Sequence, residues 1–433
     1  MSGDSIALIA FVVLFALMAL RVPVGIAMGA VGVVGFAAVN ATEPARALLG
    51  IVPLRTGNDY DLALIPMFIL MGSLATASGL SRELFRASNA WLGHLRGGLA
   101  IATIAACGGF AAICGSSVAT AATMARVALP EMRRFGYSDK LATGVIAAGG
   151  TLGILIPPSI VLAIYGFMTQ QDIGRLFIAG IVPGILAVLL YIFTVSLIGW
   201  LNPKDVPVGE KASWQERKRS MLDVWGVLAL FVFIIGGIYA GIFTAVEAAA
   251  MGAVGAWLIG ILRKRLDWPS TMACLVESLR TSAGIFMVLV GAFLFGYFLA
   301  ITQAPAHFSE WMLGLQLGKY GTMVVILLAY LALGCVMDAM AMIILTIPIF
   351  FPIVQQLGFD PIWFGVVIVM TVELGLITPP VGMNVYVING VARDVSLVTI
   401  FRGVAPFVLT DIVRLAILVA FPVIVTFLPS LMS

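Results

Sequence analysis

The sequence predicts an all-α polytopic membrane protein built as an inverted repeat, with two re-entrant helical hairpins and two helices broken at Pro-Pro pairs. Three observations lead there: an apolar composition, an internal match between the two halves, and an uneven placement of basic residues. The 433 residues are 61% hydrophobic and 10% charged, with a mean hydropathy of +1.12, too little polar surface to coat a soluble globule. The chain belongs in lipid, where about 20 apolar residues cross roughly 30 Å of hydrocarbon. Cys107, Cys114, Cys274 and Cys335 lie in or beside apolar stretches without CxxC spacing, so neither a disulfide framework nor a metal centre is expected. Only His94 and His307 are available as imidazoles, which leaves little material for a nucleophilic triad. No enzyme chemistry, cofactor or nucleic-acid partner is expected.

Apolar spans fall at 5–20, 22–39, 61–79, 98–130, 141–168, 175–200, 222–243, 245–262, 275–303, 321–353, 361–392 and 403–429. The first lacks a basic leader and runs straight into Arg21-Val22-Pro23, so it reads as a retained helix. Spans 98–130, 141–168, 321–353 and 361–392 are interrupted. The clear hydrophilic linker is Asn202 to Ser220, where Lys204, Lys211, Arg217, Lys218 and Arg219 stand against Asp205, Glu210 and Glu216.

Across that linker the halves match at one constant spacing. Pro130 pairs with Pro352 and Gly136 with Gly358, and Leu152-Gly153-Ile154-Leu155-Ile156-Pro157-Pro158 aligns with Leu374-Gly375-Leu376-Ile377-Thr378-Pro379-Pro380. One inserted residue later, Gly180 and Pro183 pair with Gly403 and Pro406. The flanks differ in charge: Arg82, Arg86, Arg96, Arg133, Arg134 and Lys140 surround the first copy, and only Lys319 the second. Equivalent loops on opposite membrane faces explain that difference. The basic side reads as cytoplasmic, which puts both termini, including the acidic Met1-Ser2-Gly3-Asp4, on the periplasmic side of an inner membrane. The domains expected are 1–60 as N-terminal scaffold helices, 61–200 as the first repeat, 201–221 as a cytoplasmic linker, 222–280 as further scaffold, and 281–433 as the second repeat.

Within span 98–130 the stretch Ala112-Ile113-Cys114-Gly115-Ser116-Ser117 is small and polar, which suits a hairpin tip. Backbone exposed at membrane depth is tolerated only where it lines a cavity or binds something. The matching tip is Gly334-Cys335-Val336-Met337-Asp338, with Asp338 opposite Ser116. Asp338 reads equally as a functional carboxylate and as a helix cap. At each Pro-Pro pair two ring nitrogens donate no hydrogen bond, which frees carbonyl oxygens upstream. With the Gly153 and Gly375 backbone and the Thr378 hydroxyl, these make an all-oxygen setting suited to a hard monovalent cation. The half-helix after each break turns an N-terminus inward, which favours an anionic substrate. Asn384 is placed there as a substrate-facing donor. Glu373, one turn before the second break, reads either as a partner of backbone N–H or as a protonatable group. Glu247 reads as half of a capping box with Thr244, and Asp411 and Arg414, three apart, as a mutual pair.

Phe110 to Ala121, Gly150 to Ser159, Pro66-Met67-Phe68-Ile69-Leu70-Met71-Gly72, Leu95-Arg96-Gly97-Gly98 and Glu373 to Pro380 resemble the large membrane subunit of tripartite ATP-independent periplasmic (TRAP) transporters, nearly end to end. The resemblance implies an elevator-type transporter of the ion-transporter superfamily. Such a protein takes up a carboxylate-bearing solute with Na+ as coupling ion, beside a small four-helix membrane subunit and a periplasmic substrate-binding protein. Carried over by position, a first sodium site uses Gly115, Ser116, Ser117, Gly153 and Ile156, and a second Gly334, Asp338, Gly375, Thr378 and Val381. Substrate contacts fall on Ser117, Pro158, Ser159, Pro380 and Asn384. Cys114 stands where the family commonly has Ser, and Ala245-Val246 where it often has Pro-Thr. A self-sufficient ion-coupled carboxylate carrier is the alternative. An intramembrane hydrolase using Ser116 or Ser117 lacks a nearby base.

Overall fold

The computed structural model describes residues 3–202, 206, 207, 209 and 211–432. Met1, Ser2, Lys204, Asp205 and Glu210, used above to orient the chain and to define the linker, lie outside the described residues. Apart from short 3-10 turns, the regular structure of the described residues is helical. The helices are α1 (Gly3–Ala19), α2 (Val24–Val39), α3 (Thr42–Gly57), α4 (Leu64–Ala77), α5 (Leu80–Leu92), α6 (Gly98–Cys114), α7 (Ser117–Arg134), α8 (Asp139–Leu155), α9 (Ile160–Thr169) and α10 (Ile173–Leu201). After the linker come α11 (Trp214–Asp223), α12 (Trp225–Tyr239), α13 (Ala245–Leu262), α14 (Trp268–Thr302), α15 (Ala304–Gly314), α16 (Gly318–Gly334), α17 (Ala339–Gln356), α18 (Pro361–Ile377), α19 (Met383–Val391), α20 (Leu397–Ala420) and α21 (Val423–Thr426). Six spans among the described residues are long and apolar enough to cross a membrane, or up to eight when bent pairs count as one.

The four interruptions expected from sequence fall where expected. Helix α6 stops at Cys114 because Gly115 adopts φ +63°, a conformation that favours glycine. Ser116 then caps α7 by accepting the Ala119 N–H. Helices α8 and α18 end at Leu155 and Ile377, just before Pro157-Pro158 and Pro379-Pro380, both cis. From α6 to α10 the lengths are 17, 18, 17, 10 and 29 residues; from α16 to α20 they are 17, 18, 17, 9 and 24. Helix α7 packs on α8 and on the opposite half-helix α19, while α17 packs on α18 and on α9.

A second group of helices packs around α14, which crosses α2, α3 and α4. Glycines permit the tightest of these crossings: a Cβ on Gly32 would lie 2.6 Å from the Phe295 nitrogen, and one on Gly25 2.6 Å from the Met287 oxygen. Lipid offers no hydrophobic force between helices, so close backbone packing of this kind carries their association.

Three features differ from the sequence expectation. The hydrophilic linker holds α11, started by a capping box in which Ser213 accepts the Glu216 N–H and Glu216 accepts the Ser213 N–H, and anchored where Trp214 meets Trp91 edge to face. The division drawn between 280 and 281 falls inside α14, a 35-residue helix capped by Asp267, because neither proline nor left-handed backbone interrupts it there. Helices α3, α5 and α15 occupy stretches without an apolar span. In α5, Leu80, Leu84 and Phe85 are buried while Arg82 and Arg86 are exposed, the two-sided pattern of a helix half in solvent.

Candidate transport site

Each hairpin tip meets the break of its own repeat. A Cβ on Gly153 would lie 2.5 Å from the Ser116 carbonyl oxygen and 2.7 Å from Thr120 Oγ1, and one on Gly115 2.8 Å from the Pro158 oxygen. In the second repeat, a Cβ on Gly375 would lie 2.6 Å from the Gly334 carbonyl carbon, and Val381 N–H donates to the Cys335 oxygen at 3.2 Å. The sequence could place these glycines on the breaks; that they let the tip backbone touch the break is decided by packing.

The assigned side chains divide by what they already do. Thr378 Oγ1 donates to the Leu374 oxygen at 2.6 Å, which leaves its own lone pairs available. The Gly375 oxygen accepts Thr378 N–H at 3.1 Å, so that carbonyl is only half freed by the Pro-Pro pair. Asp338, offered both as cation ligand and as cap, is the cap of α17: its Oδ1 accepts Met340 N–H at 3.0 Å and Ala341 N–H at 3.1 Å. It thus does for α17 what its counterpart Ser116 does for α7. Ser159 is buried and caps α9, accepting Leu162 N–H at 3.2 Å. Ser117 is buried in the first turn of α7, and Ile156 is partly exposed beside buried Pro158. Pro379 and Pro380 are exposed where Pro157 and Pro158 are buried, so the two breaks are unequally open.

Asn384, in the first turn of α19, is fully buried, and neither its Oδ1 nor its Nδ2 has a hydrogen-bond partner among the described residues. A buried amide left unpaired costs on the order of 1–3 kcal/mol. An orphan of this kind at a half-helix N-terminus suits a group held ready for a ligand.

Sequence reasoning missed one constellation. Glu373 and its repeat counterpart Thr151 are joined through buried polar groups. Thr151 Oγ1 lies 3.1 Å from the Tyr191 hydroxyl, which reaches Asp411 Oδ2 at 2.7 Å. Arg414 Nη2 lies 3.0 Å from Asp411 Oδ1 and 3.5 Å from Glu373 Oε2. The Asp411–Arg414 pair was expected; its links to Tyr191 and Glu373 were not. Tyr191 and Arg414 occupy equivalent places once the inserted residue is counted, and that equivalence was the available signal. A separate cavity of about 640 Å³ lies between α3 and α14 on one side and α9 and α17 on the other, away from both tips.

Two helical hairpins touching two broken helices inside an apolar helical fold define a polytopic membrane protein. Comparison with known proteins gives the family. The description "Tripartite ATP-independent periplasmic transporter, DctM component" matches residues 11–424, and the chain belongs to that family. The chain is similar to the C4-dicarboxylate TRAP transporter large permease protein DctM of Pseudomonas aeruginosa, 38% identical over 88% of this chain and 87% of the relative. It is likewise similar to the DctM protein of Rhodobacter capsulatus, 35% identical over 99% of both chains. Among solved structures, the YdaH transporter of Alcanivorax borkumensis superposes with a TM-score of 0.64 at 16% identity, covering 89% of this chain and 91% of that one, a likeness of fold alone.

Proposed function

We propose that this chain is the large membrane subunit of a sodium-coupled uptake system for a carboxylate-bearing solute. In this reading the solute arrives on a periplasmic binding protein, and the chain works beside a small four-helix membrane subunit in the inner membrane. The observation that carries the reading is the contact of each hairpin tip with its broken helix, Ser116 against Gly153 and Gly334 against Gly375. Oxygens of the kind a sodium ion takes stand at both places, the Ser116 carbonyl and Thr120 hydroxyl at the first and the Gly334 carbonyl at the second, and the half-helices α9 and α19 direct N–H groups toward an anion. Ser117, Ser159 and Asn384 are the polar side chains assigned to it, with Pro158 and Pro380 shaping the two ends. The names of the relatives put C4-dicarboxylates first among solutes to try.

The two repeats are read as inverted, with the arginine-rich loops cytoplasmic and both termini periplasmic. The hairpins and broken helices would then move together as an elevator against the helices grouped on α14. Uptake into proteoliposomes carrying this chain and its small partner tests the reading, with a panel of organic acids, cognate binding proteins and an inward sodium gradient. Uptake is expected to need both sodium and a binding protein. Uptake without a binding protein would replace the tripartite reading with a self-sufficient carrier. Ser116→Ala and Thr378→Ala are expected to raise the sodium concentration needed for half-maximal uptake in protein that still folds, Ser116→Ala also losing about 0.5–2 kcal/mol with the α7 cap; wild-type sodium curves in both would remove these two sites.

A further inference from the structure

A second chamber, of about 590 Å³, opens between the α4–α5 turn and α7. Arg82, Arg86, Arg126 and Arg265 converge on it together with Ser81 and Thr123, and no acidic residue among the described ones lines it. Arg265 is held in place: its Nη1 lies 3.1 Å from Glu83 Oε1 and donates to the Ser78 oxygen at 3.3 Å. The guanidinium groups of Arg82, Arg86 and Arg126 have no ion-pair or hydrogen-bond partner among the described residues. Other arginines of this region are engaged: Arg133 with Asp139 and Asp394, Arg263 with Glu83, and Arg217 with the Ala90 oxygen.

Like charges gathered around one cavity raise its potential and draw in anions, and guanidinium groups suit carboxylate and phosphate alike. Arg126 stands on the helix that begins at the first hairpin tip. It lies ten residues beyond Ser116, about 15 Å along the axis at 1.5 Å per residue. The chamber is thus a place apart from the tip, on a helix that leads from the tip to the arginine-rich face.

We infer that this chamber is a second anion site, which receives the carboxylate of the solute after it leaves the tips and before it enters the cytoplasm. The release role rests on the proposed carboxylate uptake and on the cytoplasmic placement of the arginine-rich face; the anion site itself does not. A lipid headgroup phosphate shares the same chemistry, and the two occupants are separated by experiment.

The purified full-length chain is melted in detergent with sodium pyrophosphate, and with sodium chloride at equal sodium made up to equal ionic strength with choline chloride. Pyrophosphate is expected to raise the wild-type midpoint above that in chloride. The extra shift is expected to vanish in the Arg82→Gln/Arg86→Gln/Arg126→Gln protein and to return in part when the same positions carry lysine. Equal shifts in wild type and the triple glutamine variant overturn the site. Should that variant fail to fold, Arg126→Gln alone, on a different helix from the other two, is read the same way.

In phosphatidylcholine proteoliposomes, the glutamine variant is expected to exchange solute more slowly, with unchanged half-saturating sodium and external solute; unchanged exchange overturns the release role. A wild-type pyrophosphate shift that disappears only when phosphatidylglycerol is added assigns the chamber to a lipid headgroup, and also overturns that role. If wild type takes up no carboxylate with binding protein and sodium present, the proposed function falls, while the pyrophosphate comparison still decides the anion site.

Discussion

Gly153 and Gly375 are where single atoms matter most. Each stands in the last turn of its helix before the break, and each lacks the Cβ that would meet the tip of its own repeat, at 2.5 Å from the Ser116 oxygen and 2.6 Å from the Gly334 carbon. The atoms in the way are backbone, so no rotamer change relieves the clash. Gly153→Ala and Gly375→Ala are therefore expected to part tip from break and to abolish sodium-dependent uptake in proteoliposomes. Gly318→Ala serves as the comparison, since a Cβ there meets nothing within 4 Å, although its φ of +70° adds local strain. Ser116 and Asp338 show how one repeat position reads two ways: both look functional at a tip, and both are engaged as caps.

At the scale of helices, the buried chain Thr151–Tyr191–Asp411–Arg414–Glu373 ties α8 and α10 to α18 and α20. Arg414 is fully buried and shared by two carboxylates, while its Nε and Nη1 and Glu373 Oε1 have no partner among the described residues. Removing one partner of a buried ion pair leaves an uncompensated charge and costs about 3–5 kcal/mol. Arg414→Met should lose stability of that order, read as a lowered thermal midpoint in detergent. Tyr191→Phe keeps the ring and removes one hydroxyl; it should cost less, about 1–3 kcal/mol for the hydrogen bond left unmade.

Over the whole molecule, Arg133 at the end of α7 joins parts far apart in sequence. Its Nε donates to Asp139 Oδ1 at 2.6 Å and its Nη2 to Asp394 Oδ2 at 2.7 Å, so the first hairpin is tied to the loop after α19. The Arg133 hydrogen bond holds the Asp394 carboxyl below its usual range. A carboxyl lowered in the folded state contributes stability above its unfolded value of about 3.9 and loses it as pH falls through the folded value. Wild type should therefore melt higher than Asp394→Asn at pH 7, and the gap should close below about pH 4. Asp394 is exposed and Arg133 half-buried, so the gap should also narrow in high salt.

Lipid and chain chemistry explain how much could be read without coordinates. An apolar composition, the spacing of Gly153-Pro157-Pro158 against Gly375-Pro379-Pro380, and the small residues around Ser116 determined three of the four helix interruptions, because proline and left-handed glycine act locally; the fourth, before Asp338, was legible through its match to the Ser116 tip and as a helix cap. The capping box at Thr244 was legible for the same reason, and the structure forms it, with Glu247 accepting the Thr244 N–H at 2.8 Å. Tertiary structure alone decided which tip meets which break and that Asn384 is buried without a partner. It also decided that Tyr191 and Glu373 belong to one polar chain, and that three unpaired arginines from two helices share a chamber. Those facts depend on the approach of segments tens to hundreds of residues apart, and the distance between such segments is set by packing rather than by any local preference of the chain.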